Sequence, residues 1–111
     1  MARRDYLTQT ELMVMLAIVR LGDKAYAVPI GTEILNRTGR EIATASVYAV
    51  LERLEDSKLV DSELGEATAT RGGRAKTYYR LTNTGLAQLR ETRNALRQLW
   101  RGVPRLKGRT A

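Results

Sequence analysis

The chain has 111 residues, neither cysteine nor histidine, and a formal net charge of +7. That length suits one compact unit, and the two missing residue types exclude disulfides, thiolate or imidazole metal sites and the commonest general base. The charge is unevenly placed: residues 1–70 hold 8 Lys/Arg against 11 Asp/Glu, a net of −3, whereas residues 71–111 hold 11 against the single Glu91, a net of +10. A positive surface confined to the C-terminal third points to a polyanionic partner.

The opening MARRDYLTQTEL has no apolar run behind its arginines, and the apolar stretch Leu12–Val19 is too short to span a bilayer. A cytoplasmic protein with no membrane partner is expected. Thr8 followed by Glu11 reads as a capping box, opening a helix that runs to Leu21-Gly22. Leu12, Met15, Leu16 and Val19 form one stripe, yet Met13, Val14, Ala17 and Ile18 make the helix apolar almost all round. Such a helix is buried on more than one side, and in so short a chain the second side is expected to be a subunit interface.

Pro29 suits the first turn of a second helix, where a missing N–H costs nothing. Ile30 and Ile34, with Leu35 beside them, supply its inner face, and Gly39 is its stop. Thr44 is expected to cap a third helix. There Val47, Val50, Leu51 and Leu54 fall at i, i+3, i+4 and i+7, a core stripe. The opposite side carries Ala45, Ala49 and Glu52, flanked by Ser46, Tyr48 and Arg53.

From Leu59 the period shortens: Val60, Ser62 and Leu64 share one side of a strand, and Thr77–Leu81 is a second strand rich in β-branched and aromatic residues. Between them Gly65–Lys76 forms a long cationic loop around Arg71-Gly72-Gly73-Arg74. Thr82 then caps a last helix reaching about Arg101. Leu86, Leu89, Leu96, Trp100 and Val103 follow a 3/4 spacing that makes a coiled-coil seam, interrupted by Arg93. The segment 102–111 is basic, carries Pro104 and two glycines, and is expected to be disordered.

The order α-α-α-β-β-α predicts a mainly α fold with a two-stranded wing: a winged helix-turn-helix over residues 1–82, a dimerisation helix over 83–101 and a basic tail over 102–111. A helix fits the major groove of duplex DNA, and the N-terminal residues of a recognition helix reach the bases. Here they are Thr44, Ala45, Ser46, Tyr48 and Ala49, small or hydroxylated, with the acids Glu52, Glu55 and Asp56 toward the other end. In the wing, Gly72 and Gly73 let the backbone approach a phosphate, Arg71 and Arg74 offer planar donors, and Lys76 adds charge. Gly-Gly turns and surface arginines are common, so this signal gains its weight from standing behind a helix-turn-helix.

Tyr48 either props the third helix against the wing or contacts a phosphate or base. Tyr26 is read as a core or interface ring, and Tyr79 and Leu81 as inward-facing. Tyr78 and Arg80 fall on the other side, with Arg80 in reach of a DNA backbone. There is no phosphate loop, nucleophile–base pair or metal cluster, and Glu52, Glu55 and Asp56 amid Arg53 and Lys58 read as solvated helix charge. No enzyme activity and no cofactor are expected. The alternative is a winged-helix adaptor for other proteins. RNA binding is disfavoured by having six aromatic residues in all, none of them phenylalanine.

Three segments, LAIVRLGDKAYAVPI (Leu16–Ile30), ATASVYAVLERLEDSKLV (Ala43–Val60) and RGGRAKTYYRLTNTG (Arg71–Gly85), resemble the PadR-like regulators, and the resemblance runs from about Leu12 to Trp100. It implies a winged-helix repressor whose last helix dimerises against the partner's first, placing Leu12, Leu16, Leu89, Leu96, Trp100 and Val103 at the interface. It also implies that Tyr48, Arg71, Gly73, Arg74 and Lys76 lie at or near DNA. One recognition helix reads only a few base pairs, so a palindromic operator with half-sites about one helical turn apart is expected. Some short members carry a tryptophan on the last helix beside a pore between subunits that binds planar hydrophobic drugs. By that resemblance Arg93 and Trp100 are the candidate contacts for a small hydrophobic or aromatic effector. Two departures are Ala27, where the family often has glycine, and the short length, which resembles the subfamily with a single C-terminal dimerisation helix, so that no separate effector domain is expected.

Overall fold

A computed structural model of the chain describes residues 6–65 and 75–104. It begins with the capping box. The Thr8 hydroxyl accepts from the Glu11 N–H at 3.1 Å, and Glu11 Oε1 accepts from the Thr8 N–H at 2.9 Å, so two orphan donors at the start of α1 (Gln9–Leu21) are satisfied reciprocally. The buried face of α1 is Glu11, Val14, Met15, Ala17 and Ile18, while Leu16 and Val19 stay 45% and 51% exposed. The stripe expected from sequence is therefore split, and Met15 alone of its four members is fully buried. An almost all-apolar helix offers several faces, and α2 and α3 select one. Gly22 closes α1 at φ 61° and enters a 3-10 turn, Gly22–Lys24.

Helix α2 (Ala27–Thr38) has Pro29 in its first turn and buries Ala27, Ile30 and Ile34. Leu35 is 41% exposed, a correction to its expected inner position, because one residue turns about 100° away from Ile34. Gly39 ends α2 in the left-handed region, donating its N–H to the Leu35 carbonyl at 2.8 Å. Helix α3 (Thr44–Asp56) buries Val47, Val50, Leu51 and Leu54 as expected. Its cap residue is Ala43, in extended backbone at ψ 144°, with no side-chain cap bond. Thr44 is already helical, so its hydroxyl cannot serve as the expected cap.

Strands β1 (Val60–Leu64) and β2 (Thr77–Leu81) pair antiparallel, with Val60 opposite Leu81, Ser62 opposite Tyr79 and Leu64 opposite Thr77. Val60 joins the core, and Tyr79 and Leu81 pack half-buried against it. The Tyr79 N–H also donates to the Ala25 carbonyl at 2.8 Å, which draws the α1–α2 connection alongside β2. Lys58 leaves α3 at φ 63°, and the chain folds over the start of α4 (Asn83–Trp100). Thr82 caps that helix by accepting from the Gly85 N–H at 2.9 Å; its hydroxyl donates to the Lys58 carbonyl and its N–H to the Leu59 carbonyl. Gly85 packs so closely that an added Cβ would fall inside the Leu59 carbonyl oxygen, 3.0 Å from the carbonyl carbon. Beyond this corner Leu89 is half-buried against the core, and every residue from Arg93 to Pro104 is exposed.

Candidate nucleic-acid interface

The core stripe of α3 fixes what its other face presents. With Val47, Val50, Leu51 and Leu54 turned inward, Thr44, Ala45, Ser46, Tyr48 and Ala49 are all exposed, Tyr48 at 53%. No acid lies among these five; Glu52, Glu55 and Asp56 follow in the second half. Because no side chain caps α3, its first-turn N–H groups are met by backbone alone: the Ser46 and Val47 N–H both donate to the Ala43 carbonyl. The Thr44 and Ala45 N–H groups stand at the positive end of the helix dipole, where an anion is favoured.

Two contacts hold α3 against the rest of the domain from opposite sides. The Glu11 carboxylate, 3% exposed, lies 3.7 Å from the Arg53 guanidinium through the oxygen its cap leaves over. Sequence reasoning placed Arg53 among solvated charges; its long-range partner on α1 had no local signature. On the wing side the Ser62 hydroxyl donates to Glu55 at 2.7 Å, and the Tyr79 ring lies on the same face. Burial first, then the charges of Glu55, Tyr48 and Glu52, push the Tyr79 phenol above its ordinary value, so it stays protonated at neutral pH.

At the wing base, Lys76 Nζ stands 5.3 Å from the centroid of the Tyr26 ring, which meets Tyr78 edge-on at 5.4 Å. Tyr26, at the start of α2, is thus a bracket between helix-turn-helix and wing rather than a core ring. Arg71, Gly72, Gly73 and Arg74 lie outside the described residues. Arg80 pairs with Glu63 at 3.6 Å across the strands, on the sheet face opposite Ser62 and Tyr79. On α2, Glu33 accepts from Arg20 at 2.9 Å and from Arg37 at 3.0 Å, which holds its carboxyl below the ordinary value.

Of the residues read as an interface, Leu12, Leu16, Leu89 and Leu96 line a single apolar groove of about 480 Å³ between α1 and α4, joined by Val19, Leu86 and Arg93, the last read as an effector contact. Trp100 and Val103 continue the same helix outward, 58% and 41% exposed. Among the described residues no cluster of acids could hold a metal, and no helix is long and apolar enough to cross a membrane.

The chain is similar to known proteins along most of its length. The family described as "Transcriptional regulator PadR-like family" matches residues 15–91. A protein of Lysinibacillus sphaericus, itself uncharacterised, is 34% identical over 82% of each chain. Transcriptional regulator Rv3488 of Mycobacterium tuberculosis is 39% identical over 65% of this chain and 64% of its own. Among solved structures, the PadR-like transcription factor of Bacteroides fragilis superposes with a TM-score of 0.68 at 28% identity, covering 81% of this chain and 82% of its own.

Proposed function

The chain belongs to the PadR-like family of transcriptional regulators, and on that premise we propose that it is a homodimeric repressor of a palindromic operator. The N-terminal half of α3 enters the major groove, and the wing reaches the flanking backbone through Arg71, Arg74 and Lys76. The observation that carries this reading is the five exposed, acid-free positions Thr44, Ala45, Ser46, Tyr48 and Ala49, on a helix whose opposite face is locked into the core. Half-sites about one helical turn apart suit two such helices related by a twofold axis.

The dimer is supported by what one chain leaves uncovered. Leu16, Val19, Leu96, Leu99, Trp100 and Val103 are each at least 41% exposed, and contiguous apolar surface of this kind marks an association site. The last helix of a partner laid into the α1–α4 groove would cover it. A small hydrophobic or aromatic effector beside Trp100 and Arg93 would then act by changing the packing of the two subunits.

Selection from a random duplex pool, followed by binding titrations on the selected site, tests the reading. About six phosphate contacts from two wings predict an affinity that falls by orders of magnitude between ~50 and ~200 mM salt. Arg71→Ala with Arg74→Ala weakens all sequences alike, whereas Ser46→Ala changes which sequence is preferred. A flat salt dependence refutes the wing contact, and an unchanged preference in the Ser46 variant refutes α3 as the reader.

A further inference from the structure

The apolar seam of α4 and its extension, with Arg93 included, occupies positions 86, 89, 93, 96, 100 and 103. Those spacings, 3-4-3-4-3, read the same in both directions. A twofold antiparallel pairing therefore sets Leu86 against the partner's Val103, and Leu89 against the partner's Trp100. Leu86 is also a shared wall. Together with Val19 it lines both the α1–α4 groove and a second groove of about 590 Å³, which lies between the hairpin and the end of α1.

This second groove has an apolar floor and an acidic rim. Ile18, Val19, Leu81 and Leu86 line it, and Asp23, Asp61 and Glu63 stand around it. Arg80, already 3.6 Å from Glu63, is the one basic side chain among its described lining residues, so the rim carries a net −2. The chain that leaves the partner's Val103 and Pro104 beside Leu86 continues Arg105-Leu106-Lys107-Gly108-Arg109, three cations around one leucine. We propose that residues 105–109 of each subunit dock in the wing groove of the other, the cations on the acidic rim and Leu106 on the apolar floor. The partner's tail is the nearer one. Trp100 is ~21 Å along the helix from Leu86, so Lys107 of the same subunit, seven residues past Trp100, would need nearly its full ~24 Å extension to return, whereas the partner's Val103 already stands beside Leu86.

The proposal rests on the dimer, and the test separates the two. The chain has no cysteine, so Asp61→Cys or Asp23→Cys can each be combined with Lys107→Cys, oxidised, and resolved on a non-reducing gel, with mass in solution measured in parallel by sedimentation equilibrium. An interchain disulfide in a dimeric protein, for at least one pair, is the expected result. An intrachain disulfide overturns the exchange between subunits. Free thiols in both pairs, in a dimer, overturn the docking and leave the dimer standing, while a monomeric mass overturns both. Deleting residues 105–111 supplies the second readout. Docking predicts that the dimer dissociation constant rises about tenfold at low salt, with the salt slope of DNA binding unchanged. A slope reduced by about three per subunit would show instead that these cations lie on DNA phosphates, and would overturn the assignment.

Discussion

Gly85→Ala adds one methyl group to the third residue of α4, where a helix would ordinarily welcome it. Gly to Ala in a helix interior is worth about 1 kcal/mol in favour of folding. Here the new Cβ would fall inside the Leu59 carbonyl oxygen and lie 3.4 Å from the Leu59 Cα. That carbonyl cannot swing aside, because it accepts the Thr82 N–H at 3.0 Å, and the neighbouring Lys58 carbonyl holds the Thr82 hydroxyl. Overpacking costs about 1–3 kcal/mol, and a backbone obstacle places this site at the upper end. The net is a loss of about 2 kcal/mol, or roughly 8–16 °C in Tm for a domain this small. Thermal unfolding followed by far-ultraviolet circular dichroism measures it. Gly31→Ala is the internal control, since its Cβ would meet Val47 at 3.8 Å and Ile42 at 3.9 Å, ordinary contacts; it should hold Tm or raise it by a few degrees. A Gly85→Ala protein as stable as the parent would refute the view that α4 is pinned to the Leu59 corner.

Glu33 supplies a pH dependence. Its carboxyl is held below the ordinary 4.5 by Arg20 and then Arg37. A depressed folded value means that the contribution is complete above pH 4.5 and drains as pH falls through the lowered value. Glu33→Gln should therefore flatten the acid limb of a stability profile below that pH, and high salt should shrink the difference because the site is solvent-exposed; identical acid limbs in parent and variant would count against it. Leu96→Glu places a charge in the middle of the α1–α4 groove, 43% exposed in one subunit. Sedimentation should find it monomeric, with operator affinity reduced to that of a single half-site, and a persistent dimer would rule out this groove as the interface.

Local patterns were legible in the sequence, and distant ones were not. The Thr8–Glu11 box is visible because both bonds close within three residues. The α3 stripe is visible because four apolar residues repeat at helical spacing amid polar ones. Helix α1 defeats the same method, since nearly every position is apolar and periodicity cannot choose a face. Thr44 shows another limit: residue type favoured it as the cap, but Ala43 is where the backbone turns from extended to helical. The Glu11–Arg53 pair spans α1 to α3, and the Gly85–Leu59 contact spans the α3–β1 turn to α4. Neither leaves a mark in any window of consecutive residues. The exposed positions of α3 followed once its core stripe was known, because a helix has only one opposite side.

The exposure of α4 beyond Arg93 bears on when that helix exists at all. Residues 93–100 continue a helix already nucleated at its Thr82 cap, so these turns need only propagation, which is close to break-even in water without tertiary cover. They should fray in a single subunit and tighten when something packs along Leu96 and Trp100. If the proposed dimer forms through them, ellipticity at 222 nm should decline on dilution before the globular core loses any structure.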